Sequence, residues 1–157
     1  GISGSAIELA LEIDTNDASA VVVDVLRSPD RQEHTRITFY RNRGLKPITP
    51  DGHIASTPRG EGAFSLISID TSHSSILPDA LSRAPETAPV YLEPDENLSL
   101  RIFVDKSIVE VFVNGKQCVA TRVYPARNDS TQVSLEARGN AMRLISLDAW
   151  QLKSIYR

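Results

Sequence analysis

The sequence predicts an all-β domain with little helix, an antiparallel β-sandwich or barrel. Three observations carry this. Apolar and polar residues alternate with a period of two over short runs. The runs follow one another at regular spacing with turn-forming residues between them. A helical period of 3.6 is sustained almost nowhere along the 157 residues.

The elements follow in order. "AIELALEID" places Ile7, Leu9, Leu11 and Ile13 on one face, with Glu8 and Glu12 on the other. "AVVVDVLRS" is a β-branched run, and "SPDRQ" supplies a turn around Pro29 and Asp30. "HTRITFYRN" alternates through Ile37 and Phe39. Between Arg43 and Gly62 lie three prolines and four glycines in twenty residues, which reads as a long surface loop with one short strand near His53–Ser56. "AFSLISID" restores strand character. Residues Thr71 to Pro94 are turn-rich, with "LPDALSRA" as a short helix opened by Pro78. Five strands close the chain: "LSLRIFVD", "SIVEVFVN", "KQCVATRVY", "TQVSLEAR" and "AMRLISLDAW".

The two hairpins after Leu98 can be set in register. Asn114-Gly115 is a type I′ turn signal, because both central residues need positive φ. A two-residue loop there places Val113 opposite Lys116, Val111 opposite Cys118 and Glu110 opposite Val119. Lys106-Ser107 as a second two-residue loop places Asp105 opposite Ile108, Phe103 opposite Glu110 and Arg101 opposite Phe112. One face then carries Ile102, Val104, Val109, Val111, Val113, Cys118 and Ala120 and points into the core. The other mixes Arg101, Phe103, Asp105, Ile108, Glu110, Phe112, Gln117 and Val119. It is too apolar for a solvated face and too charged for a core, so a covered contact surface is expected around Arg101, Phe103, Glu110 and Phe112.

Paired carboxylates are the tools of glycoside hydrolysis, and Asp105 and Glu110 invite that reading. The register favours another. Glu110 lies diagonal to Arg101, within reach of an ion pair, and Asp105 is a turn residue accepting backbone hydrogen bonds.

Composition excludes several classes. The hydrophobic fraction of 41%, charged fraction of 24% and formal net charge of −3 describe an ordinary globular domain without the basic footprint of a nucleic-acid binder. The thirteen arginines are scattered. No run has the length of an apolar membrane helix. Cys118, the lone cysteine, permits no internal disulfide and is expected as a small buried apolar residue. His34, His53 and His73 lie on separate segments without metal-ligand spacing, so neither a metal site nor a cofactor is expected. There is no nucleophile elbow and no phosphate-cradling loop. Trp150, at the end of a strand pattern, is expected to pack. Glycosylation triplets start at Asn97 and Asn128. Six asparagines yield about one such triplet by chance, so the compartment stays open.

The stretch "LRIFVDKSIVEVFVNGKQCVATRVYP" resembles the C-terminal β-sandwich of glycoside hydrolase family 32, which includes invertases, levanases, inulinases and fructosyltransferases. The family pattern is close to L-R-I-F-V-D-R-S-x-V-E-V-F-x-N-G followed by T-x-R-(I/V)-Y-P. Leu100, Asp105, Ser107, Glu110, Phe112, Asn114, Gly115, Thr121, Arg122, Tyr124 and Pro125 match it. "LISIDTSHSS" is similar to a family strand ending in D-R-S-x-S, with Asp70 and Ser72 at matching positions. "MRLISLDAWQL" resembles the closing strand. Lys106 and Thr71 stand where the pattern has arginine.

The resemblance implies a concanavalin- or jelly-roll-like two-sheet sandwich over residues 1–157, a single domain whose glycine-serine opening looks cut from a larger enzyme with an N-terminal five-bladed propeller. The family's catalytic carboxylates belong to N-D-P-N-G, R-D-P and E-C motifs of that propeller, and none of the three occurs here. Asp70, Ser72, Asp105, Ser107, Glu110, Phe112, Asn114 and Gly115 are therefore expected as structural signature residues, with no catalytic, cofactor or metal residue. The implied partners are the propeller of the same chain, a second copy in oligomeric members, and a fructan or other oligosaccharide at an active-site rim. A fructan-binding module and a free-standing lectin- or adhesion-like sandwich are the alternatives.

Overall fold

In a computed structural model, residues 1–15, 18–44, 51, 64–93 and 95–153 are described. The strands are β1 (Ala6–Asp14), β2 (Ala18–Arg27), β3 (Thr35–Tyr40), β4 (Ser65–Asp70), β5 (Glu86–Val90), β6 (Leu98–Asp105), β7 (Ile108–Val113), β8 (Gln117–Arg122), β9 (Gln132–Gly139) and β10 (Arg143–Gln151). They form two five-stranded antiparallel sheets, ordered β10-β1-β6-β7-β8 and β5-β4-β3-β2-β9. The all-β sandwich expected from the alternation is what the chain forms.

The inner faces meet as the period of two dictates. Ile7, Leu9, Leu11 and Ile13 from β1 are buried with Leu98, Leu100, Ile102 and Val104 from β6 and Val109, Val111 and Val113 from β7. Val21, Val23, Val25, Ile37, Phe39, Ile67 and Ile69 face them from the other sheet. Phe39 is the largest fully buried side chain; otherwise the core is aliphatic and β-branched, which suits a pleated surface.

Several local expectations are corrected. "LPDALSRA" forms turns, and no helix occurs among the described residues. The turn-rich segment instead contains β5, an edge strand, where Pro89 is tolerated because edges leave amides unpaired. The short strand expected near His53–Ser56 lies outside the described residues.

The Asn114-Gly115 hairpin is shifted by one. Asn114 and Gly115 have φ of 50° and 62°, and the Lys116 amide donates to the Val113 carbonyl at 2.9 Å, as a type I′ turn requires. Gln117 then pairs with Val113, so Lys116 is an extra residue after the turn. Val111 therefore faces Val119, and Phe112 faces Cys118. Val119 is buried, whereas Cys118 and Ala120 are exposed, against the expectation for all three. The slip places a valine in the core, and frees Lys116 to pair with Glu96 at 2.6 Å.

One buried charge organises an end of the sandwich. Glu33, in the β2–β3 loop, is fully buried. Its Oε1 accepts the amides of Ile76 and Ala126, each at 2.9 Å. Its Oε2 accepts the Arg127 amide at 3.1 Å and the Ser130 hydroxyl at 2.6 Å. Three loops are thereby tied to one carboxylate. Burial alone raises the Glu33 pKa, but the Ser130 hydroxyl and the three amides outweigh it, and the net pKa lies below 4.5. Beside it, Arg127 bridges Asp30 and Asp129, both at 2.7 Å. Hydrogen bonds from Ser28 and Arg127 hold the Asp30 pKa down at about 2.

Glu33→Gln is expected to lose about 3 kcal/mol at neutral pH in urea unfolding, because an amide nitrogen replaces one acceptor among four donors. A lowered folded-state pKa means the carboxylate contributes fully above 4.5 and progressively less as pH falls toward its folded value. The gap between wild type and variant therefore narrows in acid; a gap that stays constant from pH 7 down to about pH 3 contradicts this role.

Candidate contact surfaces

The outer face of the β10-β1-β6-β7-β8 sheet carries the residues singled out in the sequence. Registers place Trp150, Glu8, Phe103 and Glu110 in one row across four strands. Arg101 and Phe112 follow in the next row. The β6–β7 pairing is as expected: Asp105 opposite Ile108, Phe103 opposite Glu110, Arg101 opposite Phe112.

The side-chain contacts differ from expectation. Arg101 pairs with Glu8, its Nε donating to Oε1 at 2.6 Å, and not with Glu110. Glu110 has no ion-pair partner among the described residues. The reason is the neighbour on the other side: β1 lies against β6, and Glu8 is diagonal to Arg101 there. Arg101 also lies 5.5 Å over the Phe103 ring, and Phe103 meets Phe112 edge-to-face at 5.9 Å. Phe103 is thereby half-buried, while Ile108, Phe112 and Trp150 stay exposed on this face.

Asp105 is exposed, and its carboxylate has no hydrogen-bond partner among the described residues. The expected turn role falls elsewhere: Lys106 adopts φ of 52°, and its amide donates to Ser5 of the chain's entry into β1. The Ser107 carbonyl accepts the amide of Val123. Asp105 and Glu110 lie on one face, but among the described residues nothing around them assembles an acid/base site.

The other signature residues shape turns. Asp70 accepts the Ser72 amide at 2.8 Å, and the Ser72 hydroxyl meets His73 Nδ1 at 3.0 Å. Asn114 accepts the Ser99 amide through Oδ1 and donates Nδ2 to the Asn97 carbonyl and Glu96. His34 and His73 come from separate segments yet stack at 5.1 Å, and burial pushes the His34 pKa down. No cluster able to hold a metal ion occurs among the described residues.

Trp150 does not pack as expected. It is 49% exposed, because β10 is an edge strand and every residue of it is exposed. Glu33 and Arg127 leave no mark in the sequence, since each sits in a loop without any periodic signal. A cleft of about 540 Å³ opens between the β4–β5 loop and β7–β8, lined by Leu81, Arg83, Glu86, Ile108, Arg122 and Tyr124.

Comparison with known proteins places this geometry. Residues 1–151 match the family model described as the C-terminal domain of family 32 glycosyl hydrolases. The chain belongs to that family. β-Fructofuranosidase 1 of Zea mays is 34% identical over 137 residues, covering 84% of this chain and 18% of the maize protein. The acid β-fructofuranosidase of Vicia faba is 38% identical over 136 residues, covering 84% and 19%. The exo-inulinase structure from Aspergillus awamori superposes with a TM-score of 0.74 at 19% identity, over 98% of this chain and 26% of that one, and shows the shared fold. The family 32 sandwich described here thus spans about a fifth of the length of the plant relatives.

A double-mutant cycle of Glu8→Gln and Arg101→Met is expected to return a coupling of about 0.5–1 kcal/mol, as the pair is partly solvated. Glu110→Gln is expected to shift stability by no more than about 0.5 kcal/mol; a loss above about 1.5 restores Glu110 as the ion-pair partner. Asn114→Ala, which removes three hydrogen bonds and places alanine at positive φ, is expected to lower thermal stability by about 2 kcal/mol.

Proposed function

We propose that this domain is the non-catalytic C-terminal sandwich of a β-fructofuranosidase-type enzyme, which it stabilises by packing against a catalytic propeller in the same chain. The observation that carries the reading is the family match over residues 1–151, together with the absence of the propeller's three carboxylate motifs from the sequence. The whole protein would cleave or transfer β-fructofuranosyl units by the retaining double displacement of paired carboxylates. Asp70, Ser72, Asp105, Ser107, Glu110, Phe112, Asn114 and Gly115 act here as framework. The outer face around Arg101, Phe103, Glu110 and Phe112 is one surface available for the propeller or for a second copy.

Direct fructan binding is the second reading, favoured by the aromatic side chains of Phe103, Phe112 and Trp150 on one sheet face. Calorimetric titration of the folded protein with inulin and levan separates the two, since saturable binding lost in Trp150→Ala selects the second.

In the full-length enzyme, Asp105→Asn and Glu110→Gln are expected to leave kcat/KM on sucrose within about twofold. A loss beyond about 100-fold assigns them to the chemistry and overturns the framework role.

A further inference from the structure

Exposed large apolar side chains form two groups, one along β10 and one at the end of the sandwich that holds the cleft. Leu77, Leu81, Ile108 and Tyr124 line the 540 Å³ cleft or a smaller recess that shares Thr71, Leu81, Arg122 and Tyr124 with it. Such a concentration marks an interaction surface more strongly than scattered exposure does.

The same end is where the chain enters. Ser5 accepts the Lys106 amide, Ser3 bridges to Gln132, and the Gly4 amide donates to Thr131, so residues 1–5 cross from one sheet to the other there. Ala6, Asp105, Ile108 and Arg122 form one row across β1, β6, β7 and β8. The start of β1 is thus three strand spacings, about 14 Å, from the cleft. A domain joined ahead of Gly1 leaves from this end, within reach of the cleft.

The cleft is built to meet protein surface. Arg83 and Arg122 line it, and neither has an ion-pair partner among the described residues. Tyr124, Arg83 and Arg122 are of the residue types enriched in interface hot spots. Two unpaired guanidiniums ask for carboxylates or backbone carbonyls from the partner, and Glu86 offers one opposite charge in return. The supporting loops are fixed in advance: Glu33 holds Ile76 on one flank and Ala126, Arg127 and Ser130 on the other. Docking on a surface already held costs little ordering entropy. On the outer face, by contrast, Phe103 is half-buried beside Arg101, while Phe112 stays exposed.

We infer that the entry end of the sandwich, centred on the cleft between Leu81 and Arg83 on one side and Arg122 and Tyr124 on the other, is where the preceding domain of the same chain docks. This rests on the reading of the chain as a C-terminal module. The occupant presents an apolar side chain to the recess and acidic or carbonyl groups to the two arginines.

The test is thiol labelling of the full-length enzyme at nanomolar concentration, with native cysteines replaced and single cysteines introduced as Leu81→Cys, Tyr124→Cys, Phe112→Cys or Ile145→Cys. All four positions are exposed in the sandwich itself, so the substitutions leave its core intact. Slowing of about 100-fold at 81 and 124 relative to the urea-unfolded chain is expected, whatever the other two show. Free reaction at 81 and 124 with protection at 112 or 145 overturns the inference and leaves the C-terminal module reading standing, docked by another face. Free reaction at all four overturns both. Protection at 81 and 124 that vanishes on further dilution assigns the surface to a second molecule and also overturns the inference. Arg122→Glu adds an independent readout: faster labelling at position 81, with labelling at 145 unchanged, is expected, and no change at 81 counts against the arginine contact.

Discussion

A carboxylate with no water around it must find its donors in the protein or lose its charge. Glu33 finds four, from two loops that are far from it in sequence. The constraint works in both directions. The glutamate stays ionised because the amides converge on it, and the loops stay in place because the amides have no other acceptor. Ser28 closes the β2–β3 loop from within: its hydroxyl donates to Asp30, and its amide donates to the Glu33 carbonyl. The loop wall of the cleft and the exposed leucines that follow Ile76 depend on that pinning.

The remainder of the fold asks for less. Two sheets with aliphatic inner faces stack because alternation leaves each with one dry side. Their edges are unequal. At one side β5 and β8 approach each other across the sandwich. At the other, β9 is only partly buried and β10 is exposed throughout. Sequence periodicity cannot report this difference, because an edge strand and a central strand share a period of two. Leu144, Leu147 and Trp150 look like core residues in the sequence and are exposed in the fold.

The candidate acid/base pair illustrates how much a register decides. Two carboxylates five residues apart on a hairpin suggest sugar chemistry until their neighbours are known. Asp105 then sits by a turn whose amide is taken by Ser5, and Glu110 lies beside an arginine already claimed by Glu8. The family signature in this stretch belongs to a C-terminal sandwich domain, and its polar residues shape turns: Asp70 folds back on Ser72, and Asn114 joins Ser99, Asn97 and Glu96.

What the sequence determined by itself was the class of fold, nine of the ten strands among the described residues, the apolar face of β6 and β7, and the family. Each is a local property: alternation, turn chemistry or a contiguous motif. β5 escaped because its five residues include a proline and little apolar weight. Tertiary structure alone decided the rest. The hairpin register after Asn114 depended on whether Cys118 or Val119 entered the core, and burial of the valine settled it. The partner of Arg101 depended on β1, more than ninety residues away, lying beside β6. Glu33 became the anchor of an end only when two distant loops closed on its own. Pairings between distant segments leave no periodic trace in the chain, because the free energy that selects them resides in contacts the local sequence does not contain.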